Sequence, residues 1–247
     1  MCFELDSEPP IPRIAGAAVS HDDLVLESAD GTRFAAFAAM PDEPTETGVV
    51  ILPDVRGLYR FYEELALRFA ERGIAAIAID YFGRTAGIAK RGDDFEYRPH
   101  VDQTAPETVQ ADTRAAVEYL RERGCTNIFT VGFCFGGRNS WLAAASGHRL
   151  AGAVGFYGHP GLVIPRVGDV TAPILALQAG ADQNITADDN AQFERALTTA
   201  GVDHELVTYE GAPHSFFDRK QEEFAEASED AWKRVLAFIE HSGFPVA

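Results

Sequence analysis

The chain has 247 residues, within the range of one α/β domain, and its 46% hydrophobic and 24% charged residues fit a protein with a real apolar core. The formal charge of −17 argues against broad contact with nucleic acid or anionic lipid, because the overall field repels polyanions. No apolar run reaches the ~18–20 residues of a membrane-spanning helix, and three scattered cysteines give neither a disulfide framework nor the spacing of a zinc clip.

The N-terminal stretch MCFELDSEPPIPRI carries acidic residues where a signal peptide has positive charge, so a cytoplasmic protein is expected. Residues 1–20, with Pro9, Pro10 and Pro12, read as a surface arm, and 21–247 as one domain. LVLES (24–28) and TRFAAFAAM (32–40) form an opening hairpin around Ala29-Asp30-Gly31. VVILPD (49–54) is a buried strand ending in a polar loop, followed by a helix over 63–73 closed by Gly73 and a strand over 75–80. Residues 81–105 are charged and aperiodic, which suggests a long loop or lid. Then come a helix over 105–124, a strand over 127–133, a helix over 137–146 and a strand over 151–158. A strand over 173–180, a helix over about 187–200, a strand over 205–211 and a helix over 222–240 complete the chain.

Continuous apolar strands alternating with helices signal a doubly wound, mostly parallel α/β sheet with helices on both faces. Ligands of such sheets bind beyond the carboxyl ends of the strands. Chemistry is therefore sought in the loops that follow them.

The most specific feature is VGFCFGG (131–137), an apolar strand running into Gly132-Phe133-Cys134-Phe135-Gly136-Gly137 and directly into a helix. This is the Gly-x-nucleophile-x-Gly turn with cysteine at its centre. A strained nucleophile needs neighbours without bulk two residues either side, which Gly132 and Gly136 supply. The helix start favours the thiolate, and the Phe135 N–H is placed to hold an oxyanion. The competing reading is a small buried hydrophobe, the usual fate of a free cysteine. Cys125 and Cys2 lack the flanking glycines.

A thiolate needs a base and the base an orienting acid, and in this kind of fold both follow the nucleophile on strand-end loops. QAGADQNI (178–185) offers Asp182 and YEGAPHSFF (209–217) offers His214. Of the seven histidines, His100 and His159 are the loop rivals, while Asp188 and Asp189 are rival acids near a helix start. The loop after VVILP places Val55 as the second oxyanion donor and Asp54 at the sheet end, either facing the same crevice or stabilising the turn.

LPDVRG (52–57), AIDYFGR (78–84), VGFCFGG (131–137), QAGADQNI (178–185) and GAPHSFF (211–217), in that order, resemble the dienelactone hydrolase (carboxymethylenebutenolidase) family of the α/β-hydrolase superfamily. The resemblance runs from about residue 20 to the C-terminus. It implies a Cys134–His214–Asp182 triad that opens a lactone by thiolate attack and hydrolyses the acyl-enzyme. It also implies a glutamate near the thiol, matched here by Asp54, one methylene shorter. Two arginines hold the substrate carboxylate in known members. Arg84 matches the first, whereas Asp218 stands at the position of the second with Arg219 beside it. A carboxylate there is expected to repel an anionic lactone.

Three functions remain open on the sequence: a cysteine hydrolase for a lactone or small activated ester, a carboxylesterase or thioesterase for neutral substrates, and a non-catalytic ligand-binding relative. The expected partner is a small ester or lactone, with no metal or organic cofactor, no nucleic acid and no membrane, in a monomer or small homo-oligomer.

Overall fold

The computed structural model describes residues 3, 4 and 6–241, so Cys2 lies outside the described residues. Eight strands form one sheet: β1 (Val19–Glu27), β2 (Arg33–Pro41), β3 (Thr47–Leu52), β4 (Ala75–Ile79), β5 (Asn127–Phe133), β6 (Gly152–Phe156), β7 (Ile174–Ala179) and β8 (His204–Tyr209). Their spatial order is β1-β2-β4-β3-β5-β6-β7-β8. β2 runs antiparallel to both neighbours, and every pairing from β4 onward is parallel.

The helices are α1 (Arg60–Ala70), the single turns α2 (Gly83–Ala86) and α3 (Arg98–Val101), α4 (Pro106–Glu122), α5 (Phe135–Ala144), α6 (Ala187–Ala200) and α7 (Ala225–Glu240). They cover both faces of the sheet, which is why the central strands are apolar without interruption. Val49 and Ile51 of β3 pack into a core with Leu65 and Phe69 of α1 and with Trp232, Val235 and Phe238 of α7. Val50 and Leu52, pointing the other way, meet Val117 and Leu120 of α4. In β7, Leu175 and Leu177 join the first core, while Ile174 and Ala176 pack with Trp141 of α5 and Phe193 of α6.

Some boundaries differ from the sequence reading. β1 starts at Val19, inside the stretch read as arm, and α5 starts at Phe135 rather than 137. The segment 81–105 is not featureless, since α2 and α3 lie within it. The parallel registers pair Leu52 with Gly132, Phe133 with Phe156 and Ala179 with Tyr209. The loops leaving β3, β4, β5, β6, β7 and β8 therefore open at one edge of the sheet, and these loops carry the candidate residues.

Candidate active site

Cys134 stands between β5 and α5 with φ 55° and ψ −110°, a conformation that an L-residue adopts only when its surroundings force it. The force is packing. A methyl group on Gly132 would lie 2.0 Å from the Gly136 carbonyl oxygen, and one on Gly136 would lie 1.9 Å from the Leu52 carbonyl oxygen. Backbone thus touches backbone on both sides of the cysteine, and the Cys134 N–H is fixed on the Phe156 carbonyl at 2.9 Å. Helix α5 begins at the next residue with no side chain capping its start and no acid in its first turn. The positive end of the helix is left to act on the half-buried sulfur.

The loop after β7 carries Asp182 and the loop after β8 carries His214. His214 Nδ1 donates to Asp182 Oδ2 at 2.5 Å, and the Asp182 side chain is only 1% exposed. Oδ1 of Asp182 accepts the N–H groups of Asn184 at 2.8 Å and Ile185 at 3.3 Å, so both oxygens are anchored. On its other side the His214 ring hydrogen-bonds the Cys134 sulfur. Burial disfavours charge on the ring, but the hydrogen bonds to Asp182 and Cys134 outweigh it and push His214 up to about 9. Burial likewise opposes the Asp182 carboxylate, while its bonds from His214 and Asn184 hold it below the usual range. Tyr157, fully buried at a positive φ of 36°, sets its ring 4.8 Å from the imidazole.

Three of the rival residues are engaged elsewhere. Asp189 closes a capping box with Thr186 at the start of α6, and exposed Asp188 accepts from Gln192. His100 stacks on Phe95. Cys125 is buried with its thiol toward the Thr45 carbonyl, and burial pushes that thiol up.

Near the end of β3 the N–H of Asp54 donates to the Tyr62 hydroxyl, and that of Arg56 to the Asp54 carboxylate, both at 2.9 Å. The Gly57 N–H takes the Asp54 carbonyl, which leaves the Val55 N–H between three engaged neighbours. Phe135 is the first residue of α5, where an N–H has no acceptor within the helix. Asp54 itself is wholly buried. Its carboxylate accepts from the Arg56 guanidinium at 3.1 Å and from the Tyr59 hydroxyl at 3.3 Å. Of the two roles read for Asp54, this geometry supplies the turn-stabilising one.

A cavity of about 550 Å³ opens over the sulfur, bounded by Val55, Cys134, Phe135, Tyr157, Ile185 and His214. Tyr97, Arg98 and Val101 from the 81–105 segment form one wall. Neither arginine suggested by the resemblance reaches it. Arg84 is held by both carboxylate oxygens of Asp112, at 2.8 and 2.6 Å, and by Asp30 at 2.9 Å, tying the β1–β2 turn to α4. Arg219 pairs with Glu8 of the N-terminal arm at 3.0 Å, in a separate groove. Asp218 does not face the cavity either, so the expected repulsion of an anion is absent. It is buried and accepts the Ser7 hydroxyl at 2.6 Å and the Lys220 N–H at 2.9 Å. Sequence reasoning missed Arg138 and weighed His159 only as a rival histidine, yet both line the cavity. The position of Arg138, four residues after Cys134 and so on the same helix face, was the available signal.

Among the described residues no group of three His, Cys, Asp or Glu side chains is arranged to hold a metal ion, and no helix is long and apolar enough to cross a membrane. Comparison with known proteins agrees with this architecture. The model of the "Dienelactone hydrolase family" matches residues 34–243. A protein of Yersinia pestis named "Putative carboxymethylenebutenolidase" is 28% identical over 86% of this chain and 85% of its own length. One of the same name from Saccharolobus solfataricus is 28% identical over 87% of this chain and 96% of its own. A crystal structure titled "Putative Dienelactone Hydrolase" from Klebsiella pneumoniae superposes with a TM-score of 0.78 at 25% identity, covering 90% of this chain and 99% of that one. The chain belongs to the dienelactone hydrolase family and is a hydrolase of the α/β-hydrolase fold.

Proposed function

We propose that the chain hydrolyses a small ester or lactone through Cys134, His214 and Asp182, with a thioester acyl-enzyme as intermediate. One observation supports this above the others. The imidazole of His214 lies between the Cys134 sulfur and the Asp182 carboxylate, with hydrogen bonds to both. In the first half-reaction the Cys134 thiolate adds to the carbonyl carbon. The N–H groups of Val55 and Phe135 hold the oxyanion that forms. As the carbon–oxygen bond breaks, protonated His214 gives its proton to the departing alkoxide, which for a lactone remains tethered to the acyl group. In the second half-reaction His214, now neutral, takes a proton from water. The hydroxide adds to the thioester, the sulfur leaves as thiolate, and the acid is released. Asp182 holds the ring tautomer and orientation throughout.

The test is the hydrolysis of a para-nitrophenyl ester by the protein and by two variants. Cys134→Ala is expected to abolish turnover, and Asp182→Asn to lower kcat by about a hundredfold or more. Undiminished turnover in Cys134→Ala removes the cysteine from the scheme. The same result in Asp182→Asn removes the orienting acid.

A further inference from the structure

The stretch ahead of β1 is anchored on the two segments that carry the nucleophile and the base. Phe3 is 4% exposed and stacks on Phe61 of α1 at 3.8 Å. The same ring meets Phe133, the last residue of β5 and the neighbour of Cys134, edge to face at 5.9 Å. Ser7 has no exposed surface and donates its hydroxyl to the Asp218 carboxylate at 2.6 Å. Asp218 follows His214 by four residues, and Phe217 before it packs on Phe133 at 5.9 Å and on Phe156 at 4.9 Å. Glu8 adds ion pairs to Arg60 at 3.3 Å and to Arg219 at 3.0 Å, and Lys220 pairs with Asp6.

These contacts differ in weight. The ion pairs are exposed, and such pairs contribute little. The buried ones contribute more: an aromatic ring in the core, and a carboxylate 2% exposed whose donors are the Ser7 hydroxyl and the Lys220 N–H. Without that hydroxyl, a buried carboxylate oxygen loses its donor. The other ties on the loop, from Gln221 to the Ser215 carbonyl at 3.4 Å and from Ser228 to the Phe216 carbonyl at 2.9 Å, do not cross to β5. Phe217 and the arm do. The loop needs such support, since Ser215, next to the base, is held at φ 68°. The arm also lies ahead of residue 34, where the family match begins, and Asp218 stands where the resemblance implies an arginine. The arm and its docking carboxylate therefore lie outside what the resemblance supplies.

We propose that the N-terminal arm is a clamp that holds the His214 loop against the end of β5, with Phe3, Ser7 and Asp218 as positioning residues for the imidazole over the sulfur. This rests on the proposed hydrolysis and deepens it.

The experiment takes two readings on the full chain: kcat and KM for para-nitrophenyl acetate, and the pH dependence of Cys134 alkylation by iodoacetamide, assigned by peptide mapping. Ser7→Ala and Phe3→Ala are each expected to lower kcat by about tenfold or more with KM within about twofold, because a displaced base costs rate rather than binding. The alkylation profile should move to higher pH in both, since an imidazolium set farther away favours the thiolate less. Phe3→Leu, which keeps most of the buried bulk, should recover most of the lost rate. Leu197→Ala, in a core cluster without arm residues, controls for stability and is expected to melt earlier with both readings unchanged. Arm variants that melt earlier yet keep the parent's kcat and alkylation profile overturn the proposal. So does a rise in KM at constant kcat, which would assign the arm to substrate binding. An unsubstituted protein that turns over no ester rejects the hydrolase reading, while the alkylation profile still decides whether the arm sets the imidazole on the sulfur.

Discussion

A buried imidazole between a sulfur and a carboxylate answers to two opposing effects, and their balance sets what the site can do at a given pH. Burial alone would strip the proton from His214, but the carboxylate of Asp182 and the sulfur of Cys134 keep it, with a pKa near 9. The protonated ring is therefore the form present at neutral pH, ready to protonate a leaving group. In the proposed acyl-enzyme route, acylation of the sulfur takes from the ring one of the two partners that hold its pKa up. It then becomes the better base that deacylation needs. The sign is that of a raised pKa, with the protonated form complete at low pH and lost as pH rises through about 9. A profile of kcat/KM against pH should accordingly decline on its alkaline side near that value. A rate still climbing a full unit beyond it would show that no proton on His214 is needed.

At the level of elements, the turn from β5 into α5 aims the sulfur, and it depends on two backbone surfaces in contact. Gly136→Ala would drive a methyl group into the Leu52 carbonyl, which belongs to the neighbouring strand and cannot move without disturbing the sheet. A loss of at least ~2 kcal/mol in stability to chemical denaturation is expected, with hydrolysis lost alongside. A variant as stable and as active as the parent would mean that this contact does not set the turn. The spacing of this turn was readable from sequence because its demands are local: small residues two either side, an apolar strand before and a helix after. The same locality explains why Asp182 and His214 could be placed by their strand ends. The short helices within 81–105 were not readable, because single turns carry too little periodicity to stand out from a charged loop.

Over the whole molecule, the features that sequence could not deliver are pairings between distant segments. Nothing in the string of letters ties Arg84 to an acid farther along the chain. Only the fold brings Asp112, 28 residues along, onto Arg84 and leaves Arg138 facing the cavity. Asp218 and Arg219 are likewise claimed by Ser7 and Glu8, each from the far end of the chain. The net charge of −17 argues against polyanionic partners, yet no aspartate or glutamate lines this cavity. The proposed chemistry hangs on a covalent bond forming at one sulfur. Intact-mass analysis of the protein quenched during turnover of an activated ester, followed by peptide mapping, tests that most directly. The expected result is one added acyl group, carried as a thioester on Cys134 and absent from Cys134→Ala. An acyl group mapped to Cys125, or one that persists in Cys134→Ala, would contradict it.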